Sequence, residues 1–582
     1  MNNWKLVWSF IEQRWKSIAV GSIFVVITNV LSVFVPSYVG TAVDLFRGKF
    51  AVRDLFLLCG LILLIELIMG VTRFLMRYII IGASWELESD IRKRVFDHLL
   101  RLPIPYFNKT RTGDIIARFT NDLNAVRLMI GPAIMYTLNA VVLVPVALAF
   151  MFYKDHELAL CAIIPFPFMA VLINRFGKGI HRRFITVQES FSDISAQVQE
   201  DLNGIRIVKA FVREQEELES LRKLSRTYLE RNRGVIRLQS FSYPLLDILA
   251  SLGIVIVLWV GGRKIASGEV TLGVIVSFIM YIGLLVWPAI ALGWVIAIFQ
   301  RGFASARRIQ EILDEPRERS DDGADTSPLK GSISVRDLSF SYGGEEQALK
   351  GISFDIEPGG TLAIVGRTGS GKSTILNLLT GAYTVPRGVV NYDGVDINDI
   401  PLSKLRLSIS YVPQETFLFS ETVEENIAFG NEHAEFDKIK RAAMLASVDS
   451  DIEQFPDKYG TVLGERGITV SGGQRQRLAI ARSLISEAPI IFFDDCLSNV
   501  DTETEMKILN NINEVIENRT SIIVTQRLGA IKNADEIIYM KDGGVVERGT
   551  HDTLMRLDGE YAALYNEQES IESLTDNNGM SS

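Results

Sequence analysis

Cysteine is scarce in this chain, with only Cys59, Cys161 and Cys496 among 582 residues. These three residues lie far apart and match no metal-ligand spacing, so the sequence supports neither a disulfide framework nor a zinc site. An excess of basic residues is also lacking, because the formal net charge is −9. Nucleic-acid-binding proteins usually carry a basic surface, so no nucleic-acid partner is expected.

A cleavable signal peptide is not expected either. The first residues, MNNWKLVWSFIEQRWKS, contain no short apolar core followed by small residues and read as an amphipathic lead into the first apolar run. The chain as a whole is 48% hydrophobic and 22% charged. This composition is too apolar for a soluble protein and too charged for a purely membranous one, which predicts a membrane half and a soluble half.

Six apolar runs in the first half are each about 20 residues long, as spanning helices require. They lie at residues 18–42, 55–81, 129–153, 157–176, 243–265 and 273–299. Because the number is even, both ends of this region are expected on one side of the membrane. The long connections 82–128 and 177–242 are charged and helix-patterned, and the first contains Arg92, Lys93, Arg94, Arg101, Lys109, Arg111, Arg118 and Arg127.

Lys and Arg concentrate in cytoplasmic loops, so both long connections, the N-terminus and everything after residue 300 are predicted to be cytoplasmic. The chain is therefore predicted to be a multi-pass protein of the plasma membrane. The short loop 45–53, on the opposite side, also contains Arg47, Lys49 and Arg53. This reduces the difference in Lys and Arg content between the two sides of the membrane.

Several polar residues interrupt the predicted spans. Glu66, Asp247 and Asn29 are candidates for a functional role, because ionisable residues inside membranes usually face a bundle interior or a wet cavity. Pairing with a neighbouring helix remains an equal alternative for Glu66 and Asp247. Trp287-Pro288 lies in the sixth span, where proline permits a kink that commonly has no function.

The composition changes at residues 315–331, which are polar and contain Pro and Gly. We therefore predict a transmembrane domain at 1–314, a linker at 315–331, a nucleotide-binding domain at 332–565 and a disordered acidic tail at 566–582. The short β-like runs ISVRDLSFSY and TLAIVG are followed by helical patterns, which favours an α/β fold for the nucleotide-binding domain.

A phosphate-binding loop follows the run TLAIVG. The sequence GRTGSGKST matches G-x-x-x-x-G-K-[ST] between a predicted strand and a predicted helix, where glycines let backbone N–H groups surround phosphate oxygens. Lys372 should reach the β- and γ-phosphates of a nucleotide, and Ser373 should contribute its hydroxyl to Mg²⁺. The predicted binding residues of this loop are Gly366, Arg367, Thr368, Gly369, Ser370, Gly371, Lys372, Ser373 and Thr374.

A second acidic motif lies downstream, where the apolar run IIFF ends in Asp494 and Asp495. A hydrophobic strand that ends in aspartate, in a chain that contains a P-loop, is typical of the Walker B residue that holds Mg²⁺. Asp494 is therefore predicted as a metal ligand.

With these motifs in order, nearly the whole chain resembles ATP-binding cassette (ABC) exporters of the half-transporter type. The resemblance implies an all-α six-helix transmembrane domain with long cytoplasmic helical extensions, followed by an α/β P-loop nucleotide-binding domain. It also implies ATP and Mg²⁺ as ligands. Tyr342 matches the position at which the family stacks an aromatic ring on adenine, and Gln414 matches the glutamine that contacts Mg²⁺ and senses the membrane domain. The segment GERG at 464–467 and the coupling segments 106–127 and 201–217 match the regions that connect the two domains. The signature motif, which follows Val470, consists of Ser471, Gly472, Gly473 and Gln474.

The resemblance further implies a dimer. In this family two cassettes close head to tail around two ATP molecules, each between the P-loop of one chain and the signature of the other. Closure turns the spanning helices outward, and hydrolysis resets them.

Three positions depart from the family pattern. The catalytic glutamate after the Walker B aspartate is replaced by Asp495, the switch histidine by Gln526, and the D-loop reads SNVD at 498–501. Both residues that time hydrolysis are altered, while the residues that bind nucleotide are retained. We therefore predict a degenerate, slowly hydrolysing site whose chain pairs with a second half-transporter that has intact Glu and His.

The predicted function is a subunit of an ATP-driven exporter of hydrophobic drugs or lipids. Two alternatives remain: a homodimeric flippase with two equal sites, and a regulatory membrane subunit that senses ATP without transport.

Overall fold

The computed structural model describes residues 12–46, 52–319, 327–344, 346–464, 470–496, 504, 507–508, 510–511 and 518–579. The chain forms two compact units, Met1–Leu100 with Arg111–Glu315, and Arg101–Thr110 with Pro316–Ser582. The first unit is helical and the second is α/β, so the predicted fold class is confirmed. Residues 320–326 of the predicted linker lie outside the described residues.

The helices of the first half are long. In chain order they are α1 Trp15–Leu45, α2 Val52–Leu99, α3 Ile104–Lys109, α4 Thr112–Ala117, α5 Leu123–Leu128, α6 Ile134–Lys154, α7 His156–Ile163, α8 Pro165–Asn203, α9 Ile205–Ala210, α10 Glu214–Ala266 and α11 Leu272–Asp314. Two short π-helical segments, Arg118–Asp122 and Met129–Ala133, connect α4 to α5 and α5 to α6. Helix α3 belongs to the second unit.

Six helical segments among the described residues are long and apolar enough to cross a membrane. They are Trp15–Leu45, Val52–Leu99, Thr112–Lys154, His156–Asn203, Glu214–Ala266 and Leu272–Asp314. Each contains one of the predicted spans, so the prediction of six spans is confirmed. The helices extend well beyond the apolar runs, because the charged connections continue as helix on the predicted cytoplasmic side.

The polar residues of the spans differ in their surroundings. Asn29 is buried, and its Nδ2 donates to the carbonyl oxygen of Val25 at 2.9 Å, which satisfies it within its own helix. Glu66 and Asp247 are exposed on the surface of the chain. Pro288 lies inside α11, which continues on both sides of it.

The second unit alternates short strands and helices. They are β1 Ile333–Phe340, β2 Leu349–Ile356, β3 Thr361–Gly366, α12 Lys372–Leu379, β4 Val390–Tyr392, β5 Val395–Asp396, α13 Leu402–Leu407, β6 Ile409–Val412, α14 Val423–Ala428, α15 Phe436–Leu445, α16 Asp449–Ile452, α17 Gly472–Leu484, β7 Ile490–Asp494, β8 Thr520–Val524, β9 Glu536–Lys541, β10 Gly544–Gly549, α18 His551–Leu557 and α19 Glu560–Gly579.

These strands form two sheets, and the larger one positions the site. Its order is β10-β9-β3-β8-β7-β6, and every pair except β10–β9 is parallel. All five residues of β7 are buried, as expected for a parallel strand covered on both faces. Strand β8 separates β3 from β7, so the carboxyl ends of these three strands meet at one edge. Ligands of open α/β sheets bind at such an edge.

The smaller sheet, of order β2-β1-β4-β5, is antiparallel. Buried side chains of both sheets and of α12 share one hydrophobic core, to which Val335, Ile364, Leu376 and Phe492 belong. This core fixes β1, which leads to Tyr342, against the strand and helix that flank the P-loop.

The chain end differs from the sequence-based expectation. Helix α19 continues to Gly579, although the acidic composition predicts disorder from residue 566. The helix starts on a buried apolar anchor, because Tyr561 and Ala562 are fully buried and Leu564 and Tyr565 pack against the same cluster. A helix that has been started in this way can continue into polar sequence at little cost, because each further residue adds a backbone hydrogen bond.

Candidate nucleotide-binding site

The P-loop turns sharply between β3 and α12. Gly366, Gly369 and Gly371 have φ angles of 150°, 84° and 98°, a region that favours glycine. A Cβ atom at Gly366 would lie 2.3 Å from the carbonyl oxygen of Met540, and one at Gly371 would lie 2.7 Å from that of Ala348. Glycine is therefore required at both positions for the loop to surround a ligand.

Lys372 is folded onto the loop that contains it. Its Nζ donates to the carbonyl oxygens of Gly366 at 2.7 Å and Arg367 at 2.9 Å, and lies 3.5 Å from Oγ of Ser370. Burial lowers the pKa of the Lys372 ammonium, and the nearby carboxylates of Asp495 and Asp494 partly oppose this shift. A cation held by neutral carbonyls beside an open cavity is available to a phosphate group.

Asp494 ends β7 with its carboxylate between two hydroxyl groups. Ser373 Oγ donates to Oδ1 at 2.7 Å, and the hydroxyl of Tyr411 donates to Oδ2 at 3.1 Å. Burial raises the pKa of Asp494, and the charge of Asp495 adds to this rise, whereas the two hydroxyl donors oppose it. Tyr411 is itself partly buried, and this desolvation raises the pKa of its hydroxyl, which therefore stays a donor.

Tyr342 presents an exposed ring beside the P-loop. Its hydroxyl donates to Oγ1 of Thr374 at 3.0 Å, and its ring makes edge contacts with Phe340 and Tyr383 at centroid distances of 5.0 and 5.3 Å. The ring is therefore fixed on one side while 52% of the residue remains exposed. This arrangement offers a flat aromatic surface on which a base can stack.

Asp495 and Gln526 lie next to each other in the site. Asp495 has a left-handed backbone with φ of 44°, and its N–H donates to the carbonyl oxygen of Val524 at 2.8 Å. Gln526 Nε2 lies 3.5 Å from Asp495 Oδ2, and Gln526 Oε1 lies 3.5 Å from Thr368 Oγ1. The side chain of Gln526 therefore connects the predicted base position with the P-loop.

One cavity of about 290 Å³ brings most of the predicted residues together. Its lining consists of Tyr342, Ala348, Thr368, Gly369, Gly371, Lys372, Ser373, Thr374, Gln414, Asp494, Asp495, Val524 and Gln526. Gly366 and Arg367 lie just behind this lining and hold Lys372. Ser373, Gln414 and Asp494 all line this cavity, and Ser373 Oγ lies 2.7 Å from Asp494 Oδ1.

The signature residues lie elsewhere in the second unit. Ser471 caps α17, with its Oγ accepting from the N–H of Gln474 at 3.2 Å and its own N–H donating to Gln474 Oε1 at 3.0 Å. Gln474 Nε2 also donates to Asp451, and Ser471 and Gly472 are exposed. Neither these residues nor Gly473 line the cavity, so one chain alone does not join its signature to its own P-loop.

Two of the sequence motifs lie largely outside the described residues. These are residues 465–467 of GERG and the D-loop SNVD at 498–501. Their predicted contacts stay predictions.

The sequence analysis missed two residues of the site. Tyr411 could have been suspected, because it lies three residues before Gln414 on a strand that pairs with β7. Gln568 carries no sequence signal of a site, since it lies in the acidic tail. Its Nε2 donates to the carbonyl oxygen of Gln526 at 2.6 Å, and its Oε1 accepts from the N–H of Leu528 at 3.0 Å.

The described residues contain a P-loop and a strand ending in aspartate at one edge of a mostly parallel sheet, together with six candidate membrane helices. This combination is typical of an ATP-binding cassette transporter. Family comparison agrees with this class. The family model of the ABC transporter transmembrane region matches residues 18–289, and a second family model, described as ABC transporter, matches residues 349–498. The chain belongs to the ABC transporter family and is an ATPase-coupled, multi-pass membrane transporter with a cytoplasmic nucleotide-binding domain.

Similar curated proteins span almost the same length. A probable multidrug resistance ABC transporter ATP-binding/permease protein of Bacillus subtilis, YheI, is 34% identical over 570 residues, which is 97% of each chain. The multidrug resistance-like ATP-binding protein MdlA of Escherichia coli is 33% identical and covers 98% of this chain and 97% of its own. An ATP-dependent lipid A-core flippase of Desulfotalea psychrophila is 35% identical over 90% of this chain and 92% of its own.

A solved structure has the same fold. A bacterial Atm1-family ABC exporter with ATP bound matches with a TM-score of 0.78 at 25% identity, and the alignment covers 96% of this chain and 98% of that one. The predicted exporter class and ATP as ligand therefore agree with fold, site and relatives alike.

Proposed function

We propose that this chain is the slowly hydrolysing subunit of a heterodimeric exporter. The single observation that carries the proposal is that Asp495 and Gln526 occupy the wall of a cavity in which Tyr342, Lys372 and Asp494 are retained. The site keeps the groups that bind ATP and has altered groups at the positions that drive and time hydrolysis.

Mg²⁺ fits the donor set of this cavity. Ser373 Oγ and Asp494 Oδ1 are 2.7 Å apart, and Gln414 lines the same cavity, so hydroxyl, carboxylate and amide oxygens can converge. Hard oxygen donors are the ligands that Mg²⁺ prefers. Ser373, Gln414 and Asp494 would hold the ion, which would neutralise charge on the β- and γ-phosphates.

The shorter side chain of Asp495 weakens its role as a base. Its carboxylate falls about one ångström short of the position that a glutamate would reach, and a misplacement of this size can cost ~10²-fold in rate. Gln526 can donate to a γ-phosphate, but its amide cannot become the cationic donor that a histidine can. Because both groups act at one chemical step, their effects should combine as a unit rather than independently.

The position of the signature supports the proposed pairing of the two chains. Ser471 and Gly472 are exposed at the start of α17 and lie outside the cavity of their own chain. A helix N-terminus with free N–H groups suits a phosphate. We propose that this signature completes the competent site of a partner chain with Glu and His, while the P-loop of this chain retains ATP against the partner's signature.

Hydrophobic drugs or lipids are the proposed cargo. Support comes from the names of relatives, which include multidrug resistance proteins and a lipid A-core flippase. Apolar compounds moving within or out of a bilayer also suit the mostly apolar spans.

A second candidate is a transporter made of two copies of this chain with equal sites. The 35% identity to an ATP-dependent lipid A-core flippase favours it. In that case Asp495 would be a tolerated substitute for glutamate.

The two candidates differ in the ATPase activity of the purified chain. The chain should be prepared in lipid nanodiscs alone and together with a half-transporter encoded beside it. Activity that requires the partner supports the heterodimer, and vigorous activity of the chain alone supports two equal sites.

A further inference from the structure

The side chain of Gln568 in the C-terminal helix α19 hydrogen-bonds to the switch loop, which we define as residues 525–531. Gln568 of α19 donates through Nε2 to the carbonyl oxygen of Gln526 at 2.6 Å and accepts through Oε1 from the N–H of Leu528 at 3.0 Å. One amide thereby satisfies two backbone groups on either side of Arg527. Such a paired contact fixes both the position and the direction of the loop, because a single bond would still allow rotation.

The base of α19 is rigid enough to make this contact effective. Tyr561 is fully buried, and its hydroxyl hydrogen-bonds to Nδ1 of His551 at 2.8 Å. Leu528 and Ile531 of the switch loop are buried in the same cluster as Tyr561, and Leu564 packs against it. The helix and the loop therefore share a packed core on which Gln568 adds directional hydrogen bonds.

The contact extends from Gln568 into the cavity. The backbone of Gln526 is held by Gln568, while its side chain lies 3.5 Å from both Asp495 Oδ2 and Thr368 Oγ1. Movement of the Gln526 backbone by an ångström would break both of these already long contacts. The orientation of the Gln526 amide thus depends on a residue outside the cavity.

We propose that Gln568 is a positioning residue of the ATP site. It holds the switch loop so that the Gln526 amide faces the γ-phosphate, and it thereby lengthens the residence of ATP on this chain. The proposal rests on the proposed binding of ATP at this P-loop, but it requires neither a slow site nor a different partner chain.

Gln568→Met tests this role, because methionine keeps the length of the side chain and removes both hydrogen bonds. The readout is the dissociation rate of a fluorescent ATP analogue from the full-length chain in nanodiscs, with EDTA present so that hydrolysis does not contribute. Loss of one to two hydrogen bonds should raise this rate about three- to tenfold. Glu567→Gln, on an exposed position of the same helix, should leave the rate unchanged.

Two further measurements separate positioning from general stability. In a Gln526→Ala background, Gln568→Met should add less than about twofold, because a residue that acts through Gln526 has nothing left to position. Hydrogen exchange of the Leu528 amide should quicken in Gln568→Met while the melting temperature stays within about 2 °C, since the apolar anchor remains.

The proposal is overturned if Gln568→Met leaves the dissociation rate unchanged. It is equally overturned if the rate rises by the same factor with and without Gln526. A failure of the heterodimer hypothesis would appear instead as ATPase activity of the lone chain, which this experiment does not measure.

Discussion

Gln526 Nε2 lies 3.5 Å from Asp495 Oδ2, so the two residues that depart from the family pattern lie next to each other in the lining of the ATP cavity. Their proximity links two substitutions that are 31 positions apart in the sequence. A shortened carboxylate and an amide occupy the positions at which this family usually has a glutamate and a histidine. The site is therefore altered as a pair.

Replacing Asp495 by Glu should raise hydrolysis at the P-loop of this chain. The longer side chain recovers about one ångström of reach, which can be worth up to ~10²-fold in rate. Asp495 has φ of 44°, where aspartate is tolerated better than glutamate, so the melting temperature should fall slightly. Single-turnover release of phosphate from the assembled transporter measures the effect. An unchanged rate would mean that Gln526 or the partner's signature limits hydrolysis.

The affinity for ATP should weaken at alkaline pH because of Lys372. Burial lowers the pKa of its ammonium below 10.5, and a bound phosphate would raise it again. As pH rises through the lowered pKa, the free site loses the proton that ATP binding requires, so affinity falls by up to tenfold per pH unit. The free energy of unfolding changes in the opposite direction and rises with pH. Between the lowered pKa and 10.5, the unfolded chain binds more protons than the folded chain.

Titration of a fluorescent ATP analogue between pH 7 and pH 10 checks this dependence. Lys372→Arg provides the control, since a guanidinium stays protonated throughout and should give a nearly flat profile. The same slope in both proteins would assign the pH dependence to a different group.

Two serines should affect different sites of the dimer. Ser373→Ala removes the hydroxyl that lies 2.7 Å from Asp494 and should weaken Mg²⁺-dependent ATP binding to this chain. Ser471→Ala removes the cap of α17 and should slow hydrolysis at the partner's site while ATP binding to this chain is kept. Photolabelling of each chain with an azido analogue of ATP, followed by separation of the two chains, distinguishes these effects. Loss of labelling on this chain in Ser471→Ala would contradict the head-to-tail pairing.

A buried carboxylate should stabilise the membrane unit only while its partner is present. Asp122 accepts from Ser305 Oγ at 2.9 Å and from Arg308 Nε at 2.8 Å, and it is only 6% exposed. Arg308→Met leaves this charge without its cation, which should cost about 1–3 kcal/mol of the free energy of unfolding. The cost stays below that of a fully buried pair, because the Arg308 side chain is 47% exposed and water can replace part of the interaction.

The shift in apparent melting temperature in detergent measures this cost. Arg307→Met is the matched control, since the exposed Arg307–Glu311 pair at 3.4 Å should contribute almost nothing. Adding Asp122→Asn to Arg308→Met should recover part of the loss. An equal effect of the two arginine variants would show that the pair is not stabilising.

Local sequence patterns predict the parts of the site that lie close together in the chain. The spacing of Gly366, Lys372 and Ser373 is sufficient for the P-loop, and the abrupt change from IIFF to Asp494 marks the end of a buried strand. The order of strands cannot be read in this way, because it depends on which apolar runs pair. The contact of Tyr411 with Asp494 follows only from the pairing of β6 with β7.

Long-range contacts also explain the start of helix α19, which the composition of the tail does not predict. Composition favours disorder after residue 566, yet the buried Tyr561 starts a helix that carries Gln568 to the switch loop. The apolar anchor residues, Tyr561 to Tyr565, are too few to outweigh the acidic residues when composition is averaged over the whole tail. The first coupling segment, 106–127, also has a partner that local sequence does not indicate. Asn108 in α3 donates to the hydroxyl of Tyr383 at 2.8 Å, and the two residues are 275 positions apart.

The most direct test of the central claim is the ATPase rate of the purified chain alone, compared with its Asp495→Glu/Gln526→His double variant in the same nanodiscs. The slow-site account predicts a rate close to background for the natural chain and a rate at least about tenfold higher for the double variant. A vigorous rate for the natural chain that the double variant does not exceed would contradict the account and assign the chain to a transporter with two equal sites.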